Sequence, residues 1–189
     1  MSSESTAHKI QLREKAQLMS APEMDRTLLR LAHEIVERSS VGEDLAVVGI
    51  RRRGVPLAER LGRMASRIEN KDVPVGALDI SFYRDDLSTL GPRPLVKQSN
   101  IGFKIEGKRI ILVDDVLFTG RTVRAAIEAL FFCGRPARVQ LCVLIDRGHR
   151  ELPIEAAYVG RAVPTTMREV IEVKVNEIDG TDKILLLEK

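Results

Sequence analysis

The sequence predicts a parallel α/β fold, in which a central sheet is flanked by helices. Two aliphatic runs, at 45–50 and 110–113, have the β-branched composition of strands that are buried on both faces. Amphipathic patterns with a helical period lie between such runs. Strands that alternate with helices form a parallel sheet with right-handed crossovers. The 189 residues are enough for a domain with a sizeable core.

The amino-terminal part of the chain supplies the first elements. Residues 1–20 are polar, which predicts a flexible N-terminal arm, and 21–189 is predicted to be a single domain. An amphipathic helix is expected over 22–39. A buried strand over 45–50, a helix over 55–67 and a strand over 75–81 are predicted to follow.

A segment without hydrophobic period follows at 84–101, and it contains Gly91, Pro92 and Pro94. Irregular chain of this length inside a compact domain is typical of a lid or a flexible loop. A tolerated surface insertion is the alternative. Arg84 stands where the segment begins.

The second half of the chain continues the alternation. A helix is predicted from about Thr122, with Val123, Ile127 and Leu130 on one face. Strands are predicted over 138–145, 156–159, 171–175 and 183–187, with antiparallel edge strands joining the sheet near the C-terminus.

Composition excludes several classes of protein. The chain is 44% hydrophobic without Trp, has no apolar run of membrane length and has no signal-peptide core at its start, which predicts a cytoplasmic location. Cys133 and Cys142 form no C-x-x-C pair and are expected to be reduced thiols. The net charge of +3 suits phosphate ligands without requiring nucleic acid.

The chemistry is concentrated after the central strand, where Asp114 and Asp115 precede a turn over 118–122. The turn offers successive backbone N–H groups, two hydroxyl groups and a positive helix end, which together suit a phosphate monoester. Gly120 allows close approach of the backbone. Carboxylates accept hydrogen bonds from vicinal hydroxyl groups, so the pattern indicates a ribose 5-phosphate. The alternative is that both aspartates cap a helix, but a cap needs only one.

A second anion site is predicted where Arg51, Arg52, Arg53 and Gly54 follow the strand at 45–50 and precede a helix. The alternative is a solvated basic cluster on the surface.

These segments resemble a known family. The sequence VDDVLFTGRT at 113–122 resembles the phosphoribosyl pyrophosphate (PRPP) motif of type I phosphoribosyltransferases, and is most similar to the version in the PyrR family. That family combines attenuation of the pyrimidine operon with uracil phosphoribosyltransferase activity. GIRRRGV at 49–55, DISFYRDDL at 79–87 and DRGHRELP at 146–153 agree with the same family. The resemblance implies the type I phosphoribosyltransferase fold, a Rossmann-like central parallel sheet flanked by helices, with a flexible loop and a small hood.

The resemblance also implies the reaction, in which uracil and PRPP give UMP and pyrophosphate with Mg²⁺. Catalytic roles fall to Asp114, Asp115 and Arg84, and both aspartates would contact the metal indirectly, through PRPP and water. The 5-phosphate would be bound by Val116, Leu117, Phe118, Thr119, Gly120, Arg121 and Thr122. Pyrophosphate would be bound by Arg51, Arg52, Arg53 and Gly54, with a cis peptide bond expected at Arg52–Arg53, and uracil by Phe118, Tyr158 and Val159. Purine relatives carry Asp in place of Phe118, so pyrimidine chemistry is favoured.

The family also binds an RNA stem-loop as a UMP-responsive dimer. The positions implied in that contact are His33, Arg38, Arg150 and Arg161. Leu29 replaces a small hydroxyl residue, and Glu155 replaces Arg, which weakens contact with phosphates. Three alternatives therefore remain: an attenuator whose PRPP site mainly senses UMP or UTP, a salvage enzyme without an RNA role, and a phosphoribosyltransferase for another base. A homodimer or higher homo-oligomer is expected.

The lid prediction can be tested by limited proteolysis. Cleavage within 84–101 should be fast in the free protein and slow with PRPP and Mg²⁺, because ligand would order the segment. Equally slow cleavage in both states would show a fixed insertion instead.

Overall fold

Two sheets organise the described part of the chain. A computed structural model describes residues 12–39, 44–80 and 100–189. The strands are β1 (Arg13–Ser20), β2 (Leu45–Ile50), β3 (Val75–Leu78), β4 (Arg109–Leu117), β5 (Arg138–Asp146), β6 (Tyr158–Ala162), β7 (Glu169–Lys174) and β8 (Lys183–Glu188). The helices are α1 (Ala21–Glu37), α2 (Gly54–Glu69), α3 (Arg121–Cys133) and α4 (Asn176–Asp179).

The larger sheet has five parallel strands in the order β3-β2-β4-β5-β6. Its centre, β4, contains the aliphatic run at 110–113, and residues 109–114 of this strand are buried. Val48 pairs with Leu112, and Leu112 pairs with Leu141, so the carboxyl ends of β2, β4 and β5 reach the same edge. The predicted parallel α/β fold is confirmed.

Helices cover both faces of this sheet because the aliphatic strands are apolar on both sides. α1 and α2 pack on one face, where Leu28 and Leu57 meet Ile111. α3 packs on the other face, where Val123 and Leu130 join the core. α1 begins at a capping box, in which Ser20 and Glu23 bond reciprocally.

The smaller sheet is antiparallel, in the order β1-β8-β7, and is called the hood sheet below. It corrects two predictions. Residues 13–20 are a strand rather than part of a flexible arm, and the C-terminal strands form their own sheet rather than edges of the parallel one. β1 escaped sequence reasoning because residues 13–17 are all exposed and show no apolar alternation. Residues 1–11 lie outside the described range.

Other element bounds shift modestly. β6 was predicted over 156–159 but runs from Tyr158 to Ala162, and β3 ends at Leu78. The predicted lid lies outside the described residues up to position 99, and so does Arg84. No helix in the described ranges is both long and apolar enough to span a membrane.

Charged contacts join α2 to the short helix α4 and the turn after it, which connect β7 and β8 of the hood sheet. The guanidinium of Arg60 donates to both carboxylate oxygens of Glu177, at 2.8 and 2.6 Å, and to Asp182 at 2.8 Å. Arg53 makes a two-point contact with Asp179, at 3.1 and 2.9 Å. The short helix α4 and the turn after it are therefore held against α2.

Replacing Arg60 with Met should lower the free energy of unfolding by about 1–3 kcal/mol. The side chain of Arg60 is only 10% exposed, but that of Glu177 is 37% exposed, so solvent screening reduces the loss. Unfolding in urea measures the change, and the exposed Arg63→Met on the same helix is the control. A loss no greater than that of the control would show that this contact does not stabilise the fold.

The effect of the same substitution should depend on pH. Hydrogen bonds from Arg60 lower the pKa of Glu177 below its ordinary value of 4.5. A carboxylate whose pKa is lower in the folded than in the unfolded chain stabilises the fold at pH values above its unfolded pKa. This stabilisation is lost as the pH falls through the folded pKa. The difference between wild type and R60M should therefore shrink in acid below about pH 4.5.

Candidate active site

Two loop–helix junctions meet at the carboxyl edge of the parallel sheet. β2 leads into α2 and β4 leads into α3, and the two strands are neighbours. The first junction packs directly on the end of β4. The approach is so close that a Cβ at Gly54 would lie 2.4 Å from the carbonyl oxygen of Val113. Only glycine permits this approach. The predicted pyrophosphate loop and the predicted ribose carboxylates are thus adjacent.

The two carboxylates differ in environment. Asp114 is buried and Asp115 is half-buried. Burial, and next the negative charge of Asp115, raises the pKa of Asp114 well above its ordinary value. The backbone N–H of Asp115 donates to Asp114 Oδ1 at 2.9 Å. No group of three or more His, Cys, Asp or Glu side chains suited to a metal ion occurs among the described residues.

The turn before α3 has the features of an anion site. Gly120 adopts φ +91°, a left-handed conformation that favours glycine, and its Cβ position would crowd Ile154 at 3.3 Å. α3 begins at Arg121 without a side-chain cap and without an acidic residue in its first turn. The N–H of Arg121 donates to the hydroxyl of Thr119 at 3.4 Å. The N–H groups of the next residues in the first turn have no acceptor within the helix, so they suit an anionic ligand. Thr119 and Thr122 provide hydroxyl groups at the same turn.

The chain after β5 holds this turn in place through hydrogen bonds to its carbonyl oxygens. The N–H groups of Glu151 and Leu152 donate to the carbonyl oxygen of Thr119, at 3.0 and 3.2 Å. Arg150 donates to the carbonyl oxygen of Phe118 at 2.9 Å, and also bonds the carboxylate of Asp146. The shape of the anion site therefore depends on the loop over 147–152.

The arginine triplet is divided in the structure. Arg51 and Arg52 are exposed at the edge, but Arg53 is half-buried and its guanidinium is bonded to Asp179. The cis peptide bond lies at Arg51–Arg52, one residue before the expected position. α2 starts without a side-chain cap, as α3 does.

The predicted uracil contacts at Tyr158 and Val159 lie at the start of β6, away from the carboxyl edge of the sheet. Tyr158 pairs with Cys142, whereas Ala162 pairs with Asp146 at the carboxyl edge. Tyr158 lies four residues before Ala162, roughly 13 Å along the strand. Tyr158 is also buried, and its hydroxyl accepts a hydrogen bond from Arg109 at 2.6 Å. The carbonyl oxygen of Val159 accepts a bond from Arg30 at 3.2 Å.

Phe118, the third predicted uracil contact, does lie at the edge. The guanidinium carbon of Arg147 lies 4.1 Å from the centre of its ring. The ring of His149 meets it edge-on, with centres 5.7 Å apart. His149 Nε2 bonds the carbonyl oxygen of Thr165, so this nitrogen carries a hydrogen. Sequence reasoning missed Thr165, because the stretch around it has no periodic pattern.

The predicted RNA positions fall into two groups. His33, Arg38 and Arg161 are exposed. Arg150 is half-buried and is used to brace the phosphate turn, so its guanidinium is not presented as a free cation. Leu29 and Glu155, the two departures from the family pattern, are both exposed.

Comparison with known proteins gives one family. Residues 15–177 match the phosphoribosyl transferase domain. The chain is 58% identical to "Bifunctional protein PyrR" of Thermus aquaticus over 178 residues, 94% of this chain and 98% of the relative. It is 52% identical to the protein of the same name in Deinococcus radiodurans, over 92% of this chain and 95% of the relative.

Solved structures agree on the fold. A hypoxanthine-guanine phosphoribosyltransferase from Bacillus anthracis superposes with a TM-score of 0.68 at 25% identity, covering 92% of this chain and 98% of that one. The hypoxanthine phosphoribosyltransferase of Trypanosoma cruzi has a TM-score of 0.69 at 19% identity, covering 93% and 97%.

Proposed function

The chain belongs to the PyrR family within the phosphoribosyltransferases, and we propose that it converts uracil and PRPP to UMP and pyrophosphate. The observation that carries this proposal is the meeting of two uncapped helix N-termini and a pair of carboxylates at one sheet edge. Two anion sites flanking a diol site fit a ribose that bears a 5-phosphate and a pyrophosphate.

Each predicted group then has a position in the proposed complex. The turn from Val116 to Thr122 binds the 5-phosphate, and Asp115 accepts hydrogen bonds from the ribose hydroxyl groups. Arg51 and Arg52 face the pyrophosphate, where positive charge stabilises the leaving group. Arg53 shapes this loop through Asp179 rather than contacting the ligand.

Mg²⁺ is part of the proposal. Asp114 and Asp115 would contact the metal indirectly, through PRPP and water, because Mg²⁺ usually keeps several waters and is bound through substrate phosphates. When bound, Mg²⁺ would neutralise charge on the pyrophosphate. The protein's own contribution is to orient PRPP so that its anomeric carbon faces the base.

The base is proposed to pack against Phe118. An apolar ring at this position provides a surface for a pyrimidine. Phenylalanine lacks the carboxylate that purine relatives carry at this position. The alternative, a phosphoribosyltransferase for another base, is separated from it by direct assay.

The regulatory role of the family is proposed for His33, Arg38 and Arg161, which form an exposed set of basic and imidazole groups. A UMP-bound homodimer would present two copies of this set to a leader RNA stem-loop in the cytoplasm. The two alternatives, a nucleotide-sensing attenuator and a salvage enzyme without RNA, differ in RNA affinity and turnover.

The enzyme assignment is tested by assays with uracil, orotate, hypoxanthine and guanine, each with PRPP and Mg²⁺. UMP should form from uracil, and neither purine should react. Asp115→Asn should lower turnover by at least about tenfold, because a charged hydrogen bond to the sugar is lost. The exposed Asp72→Asn is the matched control and should retain wild-type turnover. Full activity of D115N, or equal use of purines, would contradict the assignment.

RNA binding should be limited by Leu29 and Glu155. The double variant L29T/E155R should bind a pyrimidine-leader stem-loop more tightly than wild type with UMP present, because a repulsion becomes an attraction. The gain should shrink at higher salt. Filter binding at two salt concentrations measures it, and Glu128→Arg on α3 controls for added charge in general. Tight wild-type binding that the double variant leaves unchanged would show that these positions do not limit affinity.

A further inference from the structure

A buried cation with neutral partners lies at the proposed base site. Arg147 is only 6% exposed. Its guanidinium donates to the hydroxyl of Thr165 at 3.0 Å, and to the carbonyl oxygens of Thr166 at 3.2 Å and Glu169 at 2.7 Å. These partners accept the hydrogens of Nε and Nη2 but carry no negative charge.

The carboxylates of Glu169 and Asp146 are engaged with other partners. That of Glu169 accepts from Lys15 at 2.6 Å and from the N–H of Thr166 at 2.7 Å. That of Asp146 bonds Arg150 and accepts the N–H of Gly148. Burial lowers the pKa of Arg147, and the charge of Glu169 opposes this only in part. An arginine nevertheless stays protonated, so its positive field is incompletely neutralised.

This charge lies against the ring on which the base is proposed to pack. The guanidinium carbon is 4.1 Å from the ring centre of Phe118, and the backbone N–H of Arg147 donates to the carbonyl oxygen of Leu117 at 3.0 Å. Arg147 is therefore fixed to the end of β4 through its backbone, and to the chain at 165–169 through its guanidinium. In a site with low dielectric, a fixed charge at this range acts strongly on a neighbouring ring.

We infer that Arg147 is an electrostatic activator of the base, which stabilises the uracil anion formed when N1 loses its proton. This inference rests on the proposed function. The N1 proton passes to solvent water. N1 then bonds to the anomeric carbon as the bond from that carbon to pyrophosphate breaks, and the electron pair of the broken bond leaves with pyrophosphate. Arg147 keeps its own protons throughout.

The test compares uracil with 5-fluorouracil, whose electron-withdrawing fluorine makes N1–H more acidic. Arg147→Gln removes the charge. The kcat/KM for uracil should fall by about tenfold, the change in anion fraction for one pKa unit of the bound base. The fall should be smaller for 5-fluorouracil, so the ratio of 5-fluorouracil to uracil activity should rise. Arg147→Lys keeps a charge and should leave this ratio near the wild-type value.

Three further variants separate charge from structure. Thr165→Val removes one hydrogen bond to Arg147 but keeps the cation, so the ratio should stay at the wild-type value. The exposed Arg168→Gln controls for loss of charge near the hood sheet. Arg147→Met also lacks the charge but retains an apolar stem over Phe118, so it should raise the ratio as R147Q does. It takes the place of R147Q in the test if R147Q folds poorly. Thermal unfolding checks each variant.

The outcomes are distinct. Equal losses for both substrates in R147Q and R147M, or a raised ratio in T165V, would overturn the electrostatic role and leave Arg147 as a structural link. A wild-type protein that makes no nucleotide from either pyrimidine would instead refute the proposed function.

Discussion

The contact of Gly54 with the central strand is the constraint on which the site depends. A side chain at this position would lie 2.4 Å from the carbonyl oxygen of Val113, and one at Gly49 would lie 2.4 Å from the carbonyl oxygen of Gly54. Two glycines thus let the first loop lie flat on the end of β4. The N-terminus of α2, the N-terminus of α3 and Asp114 converge because this approach is possible. Burial then follows for Asp114, and its raised pKa is a consequence of the same packing.

The parallel core was predictable because its signals are local. β2, β4 and β5 each contain a run of buried, mostly aliphatic residues, and each run is followed by polar residues and a helical pattern or turn. β1 was not predictable, because its exposed residues 13–17 join the hood sheet through backbone pairing with β8. Backbone pairing over long sequence separation leaves no periodic trace in the sequence.

The structure brings the predicted site residues together where a sequence motif supplied them, and separates them where strand register decides their position. The carboxylates and the phosphate turn lie where strand ends place them. Tyr158 and Val159 were assigned to the base, but the strand pairing puts Ala162 at the edge instead. The arginines were also hard to separate. The sequence alone does not distinguish Arg147, Arg150 and Arg53, because all three carry the same charge. In the structure, each is held by its own set of acceptors. Only distances between distant segments reveal which of them remain available to a ligand.

The acidic turn around α4 has a practical consequence for handling the protein. A chain shortened to end before Asn176 would lose Glu177, Asp179 and Asp182, and would leave Arg60 in a largely buried position without its carboxylate partners. It would also remove β8, the middle strand of the hood sheet. The backbone N–H of Lys189, the last residue, donates to the carbonyl oxygen of Arg168 at 3.0 Å, so a fused tag there would press on an ordered strand end.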